Sequence, residues 1–199
     1  MLENNNFLMF KGGKIMSAPV ISLYAADNTT AISTWSPGTV KADNVSAEKE
    51  VYVWNNKSTT PGTANSTTVS DMIECTVGAF DSAGKADDPI AADKWIEVNV
   101  NDQKDESTND VWTPIGGTTV AKLWNAAADP SAFVGDDSQD YVLKGLTNTG
   151  EIDPGNGQGT SAQIANKTNY AKCRFHIAVP QNASPGTTGF KIRFQGYYV

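Results

Sequence analysis

Residues 170–179, YAKCRFHIAV, and residues 190–195, FKIRFQ, decide how this chain folds. In the first run Ala171, Cys173, Phe175, Ile177 and Val179 alternate with Lys172, Arg174 and His176, the period of a strand with one buried face. In the second, Phe190, Ile192 and Phe194 alternate with Lys191, Arg193 and Gln195. Between them Pro180, Asn182, Pro185, Gly186 and Gly189 supply turn chemistry, so the stretch predicts an antiparallel hairpin with a long, ordered loop.

Working outward, further β segments lie between turn signals: Val20 to Ala25, Ile32 to Trp35, Val51 to Trp54, Met72 to Val77 and Trp95 to Val100. Ile73, Cys75 and Val77 are expected on one face of their strand, and Ile96, Val98 and Val100 on one face of theirs. No long stretch carries the 3.6-residue period, and Gly, Thr, Ser, Asn and Asp abound. These features predict an all-β antiparallel sandwich or barrel. With 199 residues, 39% of them hydrophobic, the chain can bury one large core. Residues 17–199 are read as a single domain. Between about 101 and 169 the strand period weakens, and that segment is read as a long irregular insertion with short strands of its own and a contact surface.

Residues 1–16 differ from the rest. The run Lys11-Gly-Gly-Lys-Ile-Met16 is what a purine-rich ribosome-binding site would encode, so one reading is a start at Met16 preceded by a non-native extension. The other is an N-terminal arm that docks on a neighbouring subunit through Phe7 and Phe10. Phe7 to Phe10 is too short an apolar core for a signal peptide, and no apolar run is long enough to span a membrane.

The net charge of -7 argues against a nucleic-acid partner, which would need clustered Lys and Arg. Catalytic signals are weak. The only histidine, His176, is expected to stand exposed and unpartnered on the outer row of its strand, on the opposite face from Cys173, which rules out a Cys-His dyad there. Cys75 and Cys173 read as two buried thiols, with an intersheet disulfide as the alternative; they lack the spacing of a zinc site. Asp136, Ser138 and Asp140 have a spacing that could surround calcium, but Tyr141 stands where an EF-hand needs glycine, and a solvated acidic loop is the plainer reading. No cofactor is expected. Six N-x-S/T sequons, at Asn28, Asn44, Asn56, Asn65, Asn166 and Asn182, suit surface loops. Trp112, Trp124 and Tyr141 border polar turns and are candidate interface residues, able to anchor a protein partner or stack on a sugar.

The pattern of residues 170–199, with its Val-Pro strand end, Ala-Ser-Pro-Gly-Thr turn and Phe-x-Ile-x-Phe strand, resembles the closing hairpin of bacterial and phage immunoglobulin-like domains. With Pro19 to Asn56, including WSPGTV and VYVWNNK, the chain is similar to small virion structural proteins of tailed phages; the resemblance spans roughly Pro19 to Val100 and Tyr170 to Val199 and leaves the middle segment unmatched. The resemblance implies an immunoglobulin-like β-sandwich without enzymatic activity. It also implies residence on the virion and symmetric binding to the major capsid protein or other virion subunits. Capsid decoration or cementing is the first expectation. A tail, collar or baseplate component is the second, and a carbohydrate-binding adhesion module using Trp112 and Trp124 is the third.

Overall fold

The structure is a computed structural model that describes residues 2–3, 17–129, 131, 140–156 and 158–198. Its strands are β1 (Leu2–Glu3), β2 (Ile21–Ala25), β3 (Asn44–Val45), β4 (Lys49–Asn55), β5 (Met72–Asp81), β6 (Ile96–Val100), β7 (Thr113–Ile115), β8 (Val120–Lys122), β9 (Tyr170–Val179) and β10 (Phe190–Tyr198). Two short helices, α1 (Pro89–Ala92) and α2 (Ser161–Asn166), accompany them. One sheet has the order β1-β10-β5-β8, and the other β2-β4-β9-β6-β7 with β3 also paired to β9. The all-β antiparallel sandwich expected from the sequence is the observed architecture; the only parallel pairing among these strands is β1 on β10.

The predicted hairpin is corrected. β9 and β10 lie in different sheets, because both edges of β9 are already taken: Cys173 is opposite Val51 of β4 on one side and Val100 of β6 on the other. β10 instead pairs with β5, with Ile192 opposite Ala79 and Phe194 opposite Val77. Sheets pack about 10 Å apart, a gap the loop between Val179 and Phe190 spans. The two apolar rows identified by periodicity therefore face each other across the core instead of lying side by side. Phe175 and Phe194 meet there at 6.3 Å between ring centroids.

A second departure lies in β5. Ile73 sits partly outside the core while Met72, Cys75 and Val77 are buried. Between Tyr197↔Ile73 and Gln195↔Thr76 the β5 side has one extra residue, and Glu74 has φ of 52°. This bulge reverses the in-out phase of the residues before it, so strict alternation from Ile73 fails. The segment 32–35 forms no strand; Ala31 makes a single bridge to Tyr24, and Trp35 packs on the core by its side chain.

Residues 101–169, expected as an insertion, supply an outer strand to each sheet. β7 pairs with β6, and β8 with β5, through the Gly116-Gly117 turn. Farther on, Leu143 exchanges backbone hydrogen bonds with Met72, and Cys75 N–H donates to the carbonyl of Tyr141. Ile115, Ala121, Leu123, Trp124, Tyr141 and Leu143 are consequently core residues. The expected N-terminal extension or arm falls almost wholly outside the described residues, as do Phe7 and Phe10. Of that stretch, Leu2 and Glu3 pair with Ile192 and Arg193.

Irregular loops at one end are joined by buried amides. Asn55 is fully enclosed; its Nδ2 donates to the carbonyls of Ser70 (3.0 Å) and Leu143 (3.1 Å), and its Oδ1 accepts from Val20 N–H at 3.1 Å. Asn148 donates to the Asn56 carbonyl at 2.7 Å and accepts from the N–H groups of Ser58 and Gly150. Asn28 bridges the Gly150 carbonyl and the Trp54 indole N–H, both at 2.8 Å. A side-chain amide carries donor and acceptor together, so it can stand in for a strand partner where the loops have none. The sequon reading of Asn28, Asn56 and Asn166 as surface positions is thereby overturned: all three are buried. Asn55→Ala strands two carbonyls and one N–H, and is expected to lower unfolding free energy by about 3 kcal/mol. The check is a urea midpoint that falls with little change in slope.

Candidate functional site

The outer row of β9 carries the densest group of charged side chains among the described residues. Cross-strand register sets Glu50 of β4 opposite Arg174, and Glu97 of β6 opposite His176. The loop after β6 then folds back over this face. Asn99 holds it by donating to the carbonyls of Gln103 (2.8 Å) and Val111 (2.9 Å), which brings Asp102, Asp110 and Trp112 over the row. Lys172 lies 2.9 Å from Glu50 and 3.0 Å from Asp102. Arg174 reaches Glu48 at 3.1 Å and Asp110 at 2.6 Å. Its Nε is 2.9 Å from Asp102 Oδ1, close enough for an ion pair but too far off the N–H axis for a hydrogen bond.

His176 is the correction here. Far from standing exposed, it is 7% accessible, with Nε2 2.7 Å from Glu97 Oε2 and its ring 3.9 Å from that of Trp112. The Arg174 guanidinium lies 5.3 Å from the same indole, so Trp112 covers both side chains. The cause is the loop after β6, whose return path periodicity within β9 does not reveal.

Hydrogen bonds from Arg174 and then Lys104 hold the Asp110 carboxyl down at about 2, against an ordinary 3.8. Such a group adds stability above its unfolded-state pKa and loses it as pH falls through the folded value. The urea midpoint is therefore expected to drop more steeply between pH 4 and 2 in the native protein than in Asp110→Asn. Asp27, also lowered to about 2 by Thr30 and Thr29, leaves a residual slope in that variant.

The two thiols are free and wholly buried, as small hydrophobes. Burial raises the Cys75 thiol to about 12 and drives Cys173 upward as well. Cys173 faces the core and His176 the opposite side, as their spacing predicts.

Of the residues expected to make contacts, Trp112 is half-buried over the charged row. Trp124 and Tyr141 are each 8% accessible and belong to the core, with Lys122 4.7 Å over the Tyr141 ring. The pairing of β8 and Leu123 with β5 on one side of the segment, and of Tyr141 and Leu143 with β5 on the other, draws them in, so they offer no open ring to a partner. Phe7, Phe10, Asp136 and Ser138 lie outside the described residues. Asp140 is half-buried, and its Oδ2 has no hydrogen-bond partner. Among the described residues no group of three or more His, Cys, Asp or Glu side chains is arranged to hold a metal.

One feature of shape went unread in the sequence. A cleft of about 900 Å³ opens between segment 35–42 and the loop joining β9 to β10. Ser36-Pro37-Gly38 and Ser184-Pro185-Gly186 lie on its two sides, and that shared turn chemistry is the only sequence signal for it.

No protein-family model matches this chain, and no curated protein matches it. Among solved structures, a family 123 glycoside hydrolase from Clostridium perfringens, described for glycolipid glycan hydrolysis, aligns with 92% of this chain and 27% of its own at 11% identity. The TM-score is 0.34, a likeness too low to assign fold or activity.

Proposed function

We propose that this protein is a non-enzymatic structural component of a tailed-phage virion, acting as a capsid decoration or cementing protein that binds capsid subunits in a symmetric array. One observation carries the non-enzymatic part: the groups best suited to chemistry are committed to the fold. The only histidine is held between Glu97 and Trp112, and both thiols are sealed in the core. Neither the imidazole nor a thiol is therefore presented to a substrate as a general base or nucleophile. The virion assignment rests on the resemblance over roughly Pro19 to Val100 and in the strand pattern of residues 170–199. A sandwich tied together by enclosed amides and ion pairs suits a part that must keep its shape while its surface binds neighbours.

A tail, collar or baseplate component has the same requirements, and copy number separates the two. Quantitative mass spectrometry of purified particles is expected to find on the order of hundreds of copies, retained on capsids that lack tails. A handful of copies, lost with the tail, would overturn decoration. The adhesion reading loses Trp124 to the core. Within the described residues no helix is long and apolar enough to cross a membrane.

A further inference from the structure

The cleft between segment 35–42 and the β9–β10 loop has a floor and a rim of different chemistry. The floor is apolar, with half-buried Trp35 and Trp95 accompanied by Ile177, Val179 and Phe190. Trp35 is fixed there by Phe190, edge-on at 5.3 Å between ring centroids, and by Phe175 at 6.3 Å. The rim carries hydroxyls: Ser36 and Thr39 on one wall, Ser184, Thr187 and Thr188 on the other, and Ser82 beside Gly189. Among the described residues none of these six hydroxyls has a hydrogen-bond partner, and neither has the backbone of residues 36–41 or 184–189. Both walls turn at a Pro-Gly pair, Pro37-Gly38 and Pro185-Gly186, so they offer no straight row of donors and acceptors for a strand to extend.

Charge narrows the class of ligand. No carboxylate lines the cleft, Lys41 stands exposed at the rim, and Lys191 is already engaged. An ionised group carried to the floor would lose its water without gaining a counter-charge. A hydrocarbon would cover the rim hydroxyls and leave them unpaired. What fits is an uncharged ligand with apolar faces and polar groups around its edge. A pyranose has that form: its C–H face packs on an indole, and each of its hydroxyls both donates and accepts, so it can meet either kind of group on the rim. The volume of about 900 Å³ suits a short oligosaccharide. It lies at the upper end of the range for ligand sites, about 300–1,000 Å³.

We propose that this cleft binds a neutral oligosaccharide, its rings against Trp35 and Trp95 and its hydroxyls paired to the two walls. Neither Trp112 nor Trp124, the tryptophans singled out by the sequence, lines it. The site goes beyond the virion role and rests on its own geometry. An assay with free sugars contains no virus particle, so its failure leaves capsid association standing, and failure of the particle measurement leaves the cleft standing.

The test titrates maltotriose, cellotriose and chitotriose separately into the nitrogen-15-labelled full chain. At least one is expected to shift the amides of residues 36–41 and 184–189 saturably, with an affinity unchanged by added salt. Thr39→Val combined with Thr187→Val removes one exposed hydroxyl from each wall and keeps the side-chain shape. This double variant is expected to bind that sugar about tenfold more weakly without a change in its circular dichroism spectrum. No saturable shift with any of the three, shifts confined to other surfaces, binding that weakens with salt, or unchanged affinity in the double variant would overturn the proposal. So would an oligoproline peptide that shifts these amides when none of the sugars does.

Discussion

Phe175→Ala is expected to cost about 3–5 kcal/mol of unfolding free energy. Phe175 is fully buried at the centre of β9. It is the residue through which the two sheets and the cleft meet: its ring lies 6.3 Å from Phe194 of the opposite sheet and 6.3 Å from Trp35 on the cleft wall. Its removal leaves a cavity bordered by rigid strands on both sides, which cannot collapse to fill it. Against a total stability of about 5–15 kcal/mol, the loss brings the variant close to unfolding at ambient temperature. Urea denaturation followed by tryptophan fluorescence measures it. Phe175→Leu, which keeps most of the volume, is expected to lose less than half as much.

Gly116→Ala is expected to be nearly as damaging, by about 3 kcal/mol or more, through the backbone and not through packing. Gly116 has φ of 142°, a conformation that side chains rarely adopt. A Cβ there would sit 2.2 Å from the carbonyl oxygen of Ala91, and the obstacle is backbone that cannot rotate away. The turn at Gly116-Gly117 carries the chain from β7 in one sheet to β8 in the other, so displacing it loosens both outer strands. Gly117, with φ of 60° and open space around it, supplies the contrast: Gly117→Asn tolerates the left-handed backbone and should leave stability nearly unchanged. Thermal unfolding of the two variants side by side gives the comparison.

Much of the fold can be read from the strand pattern because burial imposes a period on it. Ile96, Val98 and Val100 are all buried, and so are Cys173, Phe175, Ile177, Phe190, Ile192 and Phe194. Periodicity reports which face of a strand is covered, and it carries no information about which strand lies alongside. That is why β9 and β10 read as a hairpin while belonging to opposite sheets. The bulge at Glu74 was hidden for a related reason: one inserted residue reverses the phase and leaves the composition unchanged. The middle segment looked irregular because β7 and β8 are only three residues long, and its remaining contacts run through single bridges and asparagine amides. The burial of His176 cannot be read from β9 because its cover, Trp112 and the loop before it, lies more than sixty residues away in sequence. Its Glu97 partner lies on a neighbouring strand, a pairing that requires the register of the sheet to be known.

The same limits apply to function. Composition and spacing correctly placed both thiols in the core, but no motif marks the cleft. The cleft arises only when segment 35–42 and the β9–β10 loop, nearly 150 residues apart, come together at one end of the sandwich.

The proposed role is tested most directly by binding to the particle itself. Purified protein added to tailless capsids lacking it is expected to cosediment until sites are filled, at a fixed number of copies per capsid set by lattice symmetry. Failure to sediment with capsids, together with saturable binding to isolated tails or to a glycan support, would contradict the decoration role.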